Sequence, residues 1–191
     1  KYYTKTLSQF ILYGNVRDLV PGKDKDGKVA GVPLRNFLAD TLFGSRDLVI
    51  FYDRGSGVNF LDAEMRRDFN RALTGYDTMM GTDFAKAMPK DPTRVFAIID
   101  NYIRLRLAEE KRIAFIIDYA ETIIPAGEAG GYSAEDRNAL VWLKKWAYDP
   151  AFLKADLTLV LIAENLAEIN QSIVQSPYTA EIHIAIPNEN E

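Results

Sequence analysis

The sequence predicts an α/β protein: a mainly parallel, five-stranded sheet with helices on both faces. Three observations carry that reading. The segment Ile113-Ala114-Phe115-Ile116-Ile117 is unbroken and apolar, and it ends abruptly at Asp118. So short and isoleucine-rich a run fits a central strand buried on both faces, as in parallel sheets. Four more strand-like runs are separated from it and from each other by stretches with helical periodicity or turn chemistry, the order that crossover connections need. Finally, 191 residues with 48% hydrophobic content suffice for one domain with a sizeable core.

The elements follow in order. Phe10-Ile11-Leu12-Tyr13-Gly14 is a short apolar strand closed by glycine. Val20 to Val32 holds Pro21, Gly22, Asp24, Asp26, Gly27 and Gly31 and reads as a polar loop. Pro33 suits the first position of a helix with Leu34, Phe37, Leu38 and Leu42 on one face. Leu48 to Asp53 is a second buried strand, and Arg54-Gly55-Ser56-Gly57 is a turn. Leu61 to Leu73 reads as a helix, with an irregular stretch from Gly75 to Pro92. Thr93 is placed to cap the next helix, which carries Phe96, Ile99 and Ile103. After the central strand, Ser133 and Asp136 have capping-box spacing ahead of Leu140, Leu143 and Ala147. Leu157 to Ala163 is a strand, Leu166 to Val174 a helix, and Glu181 to Ile186 the last strand.

Composition narrows the function. A net charge of −4 with no basic face disfavours nucleic acid as a partner. With no cysteine and one histidine, thiolate zinc sites and nucleophile triads have no basis, and His183 reads as structural. No apolar stretch approaches membrane-spanning length, and we expect a cytoplasmic protein. The chemistry concentrates instead at strand ends. Ligands of open α/β sheets sit at the carboxyl ends of the strands, which makes Asp118 the first candidate. Asp53 ends another strand. Were the two strands neighbours, Asp53 and Asp118 would offer hard oxygen ligands to Mg²⁺. Against these stand plainer readings: Asp118 and Asn165 as turn formers, Gly55-Ser56-Gly57 as a tight turn, and the aromatics Phe51-Tyr52 and Trp142 with Trp146 as core.

Three segments in order resemble the AAA+ ATPases. Ala114-Phe115-Ile116-Ile117-Asp118 resembles a Walker B strand, and Leu159-Val160-Leu161-Ile162-Ala163-Glu164-Asn165 resembles the strand bearing the sensor-1 asparagine. Ile182-His183-Ile184-Ala185-Ile186-Pro187 followed by acidic residues resembles the last core strand, which leads to the helical lid. Phe10 to Gly14 then corresponds to the strand entering the phosphate loop. The resemblance implies a P-loop NTPase-like three-layer sandwich over residues 1–191. Its nucleotide-binding residues would be Gly14, Asn15, Asp118 and Asn165, with Asp118 also toward Mg²⁺ and Glu121 as the catalytic carboxylate.

The departures are as informative. After Gly14 the chain runs Asn15-Val16-Arg17-Asp18, without the glycines and lysine that cradle phosphate. Tyr119 follows Asp118 where a glutamate is usual, so Glu121 lies two positions late. Glu164 replaces the small hydroxyl residue before Asn165, and no arginine finger is present near Ser176-Pro177-Tyr178. Phe51 to Gly57, Asp118 to Glu121 and Trp146 to Pro150 resemble the N-terminal domain that precedes a complete AAA+ module in a larger ATPase. That resemblance implies a lid and an ATPase module after residue 191. It also implies ATP and Mg²⁺ as cofactors of the whole protein, and the downstream module, sister subunits or a protein client as partners. The leading expectation is a non-catalytic or weakly nucleotide-binding domain for regulation, assembly or client binding. The alternatives are an ATPase using Asp118 and Asn165 with a non-standard phosphate loop, and a Mg²⁺-dependent hydrolase using Asp53 and Asp118.

Overall fold

The structure is a computed structural model that describes residues 7–23 and 26–186. The Pro187–Glu191 part of the last sequence motif lies outside the described residues. The main sheet holds β1 (Gln9–Gly14), β4 (Leu48–Asp53), β5 (Gly57–Phe60), β6 (Ile113–Ile117), β7 (Leu157–Ala163) and β8 (Thr179–Ile184), in the order β5-β4-β6-β7-β1-β8. All neighbours are parallel except β4 and β5, an antiparallel hairpin. The five expected strands are all present. The sheet has six because the Arg54–Gly57 turn is followed by a short edge strand. Its half-buried Val58-Asn59-Phe60 has too little apolar character to announce itself.

β6 is interior, flanked by β4 and β7, and every one of its residues is buried. β7 is equally buried along its length, as a two-sided strand must be. The chain leaves β1 for β4 on the far side of the sheet and steps back through β6 and β7. It then passes over β1 to place β8 at the other edge. That reversal beside β1 is a topological switch point, where an open sheet forms its crevice.

One face of the sheet packs Ile50, Phe115, Leu159 and their neighbours against α2 (Ala63–Met80), α3 (Pro92–Ala108), α4 (Ala134–Tyr148), α5 (Pro150–Lys154) and α6 (Gln171–Val174). Phe115 meets Phe96 and Trp146 there edge to face, Phe96 lies tilted against Trp146, and Trp146 donates Nε1–H to Asp100 at 2.8 Å. The opposite face is covered mainly by α1 (Leu34–Phe37) and the π-helical turn Leu38–Leu42, which bring Leu34, Leu38 and Ala39 onto Val49, Ile116 and Val160.

Several sequence expectations change. Residues 20–32 are no structureless loop: β2 (Leu19–Lys23) and β3 (Val29–Pro33) pair as a separate antiparallel hairpin. Gly22 and Gly31 belong there because a Cβ at either would press on Val32 or Leu19. Pro33 is the residue before the helix, not its first. α2 runs past Leu73 to Met80 and stops at Gly81, φ +69°. The buried Asp77 then orders the next turn by accepting from Thr82 Oγ1 and from the N–H groups of Phe84 and Ala85. Asp91, not Thr93, caps α3, with Pro92 following it. Residues Leu166–Val174 split into a 3₁₀ turn and the short α6, because Asn170 starts a new cap. The Ser133–Asp136 capping box forms in full.

Candidate functional site

The carboxyl ends of β4, β6, β7 and β1 converge on one cluster of charge. Asp118 directly follows β6. Its N–H still reaches Tyr52 of β4, at 2.9 Å, so the carboxylate is set by the sheet and is 7% exposed. Oδ1 accepts the Tyr119 N–H at 2.9 Å and Arg17 Nη1 at 2.6 Å. Tyr119 sits in the left-handed region, φ +53°, and turns the chain into a 3₁₀ turn that carries Glu121. The Arg17 guanidinium lies over the Tyr119 ring at 3.8 Å, a cation–π contact.

Arg17 is the centre of the cluster. Besides Asp118, its Nε donates to Glu164 at the end of β7 at 3.0 Å, and its Nη2 stands 3.9 Å from Glu121 Oε1. Burial works against its charge. The hydrogen bonds and charges of Asp118, then Glu164, outweigh that and raise its pKa further. Glu121 moves the other way for a carboxylate: burial lifts its pKa above the ordinary value, more than Arg17 pulls it down. Glu121 Oε2 and Arg17 Nη2 are buried without hydrogen-bond partners.

Asp53 and Asp118 do sit at adjacent strand ends, as a shared metal site would require. Between them, however, lies Arg35 of α1, with Nη1 3.7 Å from Asp53 Oδ2 and 4.0 Å from Asp118 Oδ2. The other Asp53 oxygen is taken up by the N–H groups of Gly55 and Ser56, which closes the β4–β5 turn. Among the described residues no group of three or more His, Cys, Asp or Glu side chains could hold a metal ion.

The segment after β1 is built differently from a phosphate cradle. Gly14 has φ +98° and donates its N–H to the Glu164 carbonyl at 3.1 Å. The Asn15 N–H goes to the Ile184 carbonyl and the Val16 N–H to the Gly14 carbonyl. These three successive donors are therefore already used, whereas a phosphate loop leaves such donors free. No helix starts here either, since the chain proceeds to β2. Asn165 serves as the cap of the 3₁₀ turn Leu166–Glu168, accepting from Ala167 N–H at 3.0 Å. Thus Gly14, Asp118, Glu121 and the strand end before Asn165 gather at one place. Arg17 and Arg35, the cations that join them, were not singled out as site residues. The sequence signal for Arg17 was a basic residue just past Gly14, where a phosphate-loop lysine would be sought.

Residues 1–185 match the family described as AAA+ chaperone, N-terminal Rossmann-like domain. The chain belongs to this family. Among solved structures, this AAA+ chaperone N-terminal domain is similar to a chain in the structure of the E. coli MS115-1 HORMA:CdnC:Trip13 complex. Identity is 14% and the TM-score 0.52, over 97% of this chain and 50% of that one. At such identity the likeness is one of fold, and the domain spans about half the length of the matched chain. No curated protein matches the domain in sequence. No helix among its described residues is long and apolar enough to cross a membrane.

Proposed function

We propose that this AAA+ chaperone N-terminal domain is a non-catalytic regulatory or client-binding unit, in which Arg17 occupies the position that a nucleotide's phosphates and metal take in an active relative. The observation that carries this reading is the Arg17–Asp118 ion pair at 2.6 Å, backed by Glu164 and by backbone donors already consumed at Gly14, Asn15 and Val16. A polyphosphate arriving there would meet Glu121 and Glu164 and would have to displace Arg17 from buried Asp118, against ordinary charge logic.

The same cluster ties the ends of three strands into one rigid rim. A rim of that kind suits a surface that transmits contact between a client and the rest of a larger AAA+ protein in the cytoplasm. The protein partners of the neighbour complex, a HORMA protein and CdnC, support protein over nucleic acid as the class of partner. ATP and Mg²⁺ then belong to the downstream module.

Calorimetry with Mg-ATP tests the reading on this chain. Heats at the level of dilution are expected. A dissociation constant in the low micromolar range, lost in Asp118→Ala, would replace it with the nucleotide-binding reading through Asp118 and Asn165. Binding of Mg²⁺ alone that depends on both Asp53 and Asp118 would favour the hydrolase reading instead.

A further inference from the structure

β8 is an edge strand, and no strand among the described residues covers its outer side. The phase of its backbone is known. Asn15 N–H bonds to the Ile184 carbonyl, and Ile184 is in register with Gly14. In a parallel pair the bonding residues alternate. Ile182 and Ile184 therefore turn their backbone groups inward to β1, while Glu181 and His183 turn theirs outward.

We infer that this edge is a pairing surface for a second copy of the same chain, joined antiparallel about a two-fold axis at Ile182. The register is self-complementary on three counts. Glu181 of one copy stands opposite His183 of the other, and these are the residues with outward backbone groups. Each such pair exchanges both of its N–H···O bonds. The same pairs bring the Glu181 carboxylate against the His183 imidazole, a cross-strand pair of acceptor and N–H donor. Neither Glu181 nor His183 has an ion-pair partner within the chain among the described residues. Ile182 meets its own copy at the axis as a pair without hydrogen bonds, where side chains approach closest. Ile182 is 42% exposed, a large apolar side chain left in water at a strand edge.

The apolar contact then continues sideways. Ile182 and Ile184 line an open groove of about 510 Å³ with Phe10, Leu12 and Phe37, on the sparsely covered face of the sheet. Pairing would extend that face across both copies. Slipping the register by one residue would place Glu181 against Ile182 and lose both the acid–histidine match and the backbone phase. A lysine on the edge would block pairing; this edge carries one acid and one histidine in the order that two-fold symmetry matches. The interface is isologous and closes on itself. It does not depend on the reading of the Arg17 cluster.

The test is sedimentation equilibrium of this chain. A monomer–dimer equilibrium is expected with a dissociation constant on the order of 100 µM, because a single strand edge buries less than a standard interface. Glu181→Lys should weaken it about tenfold, since both symmetric pairs lose the carboxylate that accepts from histidine. The double variant Glu181→Lys with His183→Glu restores a carboxylate opposite an N–H donor and should return the dimer to near its original affinity. Ile182→Lys, which sets like charges at the axis, should give monomer. Circular dichroism establishes that each variant is folded. A chain that stays monomeric at about 1 mM, a dimer indifferent to Glu181→Lys and Ile182→Lys, or a double variant that fails to recover would each overturn the assignment.

Discussion

Replacing Arg17 with alanine removes a side chain that joins the ends of β6 and β7 to the loop after β1. The magnitude follows from what is left behind. Asp118 loses a 2.6 Å charge-assisted bond while its side chain remains 9% exposed, and Arg35 at 4.0 Å is too distant to replace it. Breaking a fully buried ion pair costs about 3–5 kcal/mol. Arg17 is 30% exposed at its side chain and Glu164 58%, so water screens part of the interaction. Asp118 also keeps the Tyr119 N–H. We therefore expect a loss of about 2 kcal/mol, near that of a hydrogen bond to a charged group. For a domain of this size that is a fall in Tm of about 4–8 °C. Urea unfolding read by circular dichroism should show the midpoint falling with an unchanged slope. Arg17→Lys should recover only part, because a lysine cannot bridge Asp118 and Glu164 with one planar fork. In a double-mutant cycle, Arg17→Ala in the background of Asp118→Ala should cost much less than in the native chain. A change in stability below about 0.5 kcal/mol for Arg17→Ala would refute the view that this cluster holds the strand ends together.

Other outcomes follow from the same geometry. Gly14→Ala should destabilise by about 1–3 kcal/mol, since φ is +98° and the new Cβ would lie 2.7 Å from the Ile184 carbonyl oxygen; thermal unfolding measures it. Ser133→Ala should cost about 1 kcal/mol through loss of the α4 capping box, with the hydrogen-exchange effect confined to the first turn of that helix. Burial raises the Glu121 pKa in the folded state. Its contribution is therefore fully present below the unfolded value and is lost as pH rises through the folded one. Glu121→Gln should accordingly be more stable than the native chain at pH 7, with the advantage vanishing as pH falls below the ordinary carboxylate range; denaturant midpoints across that span give the sign. Asn165→Ala should cost about 1 kcal/mol as a lost cap.

What the sequence by itself determined is the set of features written in local pattern. β1, β4, β6 and β7 were legible because each is a short apolar run bounded by charge or glycine, the composition that burial on both faces demands; the edge strand β8 was legible from the alternation of Ile182 and Ile184 with Glu181 and His183. Asp118 was legible as a candidate because a carboxylate ending such a run has no packing role. The Ser133–Asp136 box was legible because its partners are three residues apart. The features that stayed hidden have their cause far along the chain or in backbone geometry. β5 and the β2–β3 hairpin are half-exposed and rich in glycine and proline, so pairing, not composition, makes them strands. The extent of α2 depends on how Asp77 satisfies the turn beyond it.

Only the tertiary structure decided the character of the site. Arg17 and Asp118 are 101 residues apart in sequence, and Arg17 and Glu164 are 147 apart. The family resemblance brings these segments together, but nothing in their local pattern indicates that Arg17 pairs with both carboxylates. They meet because β1 enters the sheet beside β7, one strand from β6, which is a matter of strand order. The same order sets Asp53 beside Asp118, and α1 brings Arg35 between them. Local sequence can place a carboxylate at a strand end. Whether a metal, a phosphate or an arginine stands in front of it is settled by which other strand ends share the crevice.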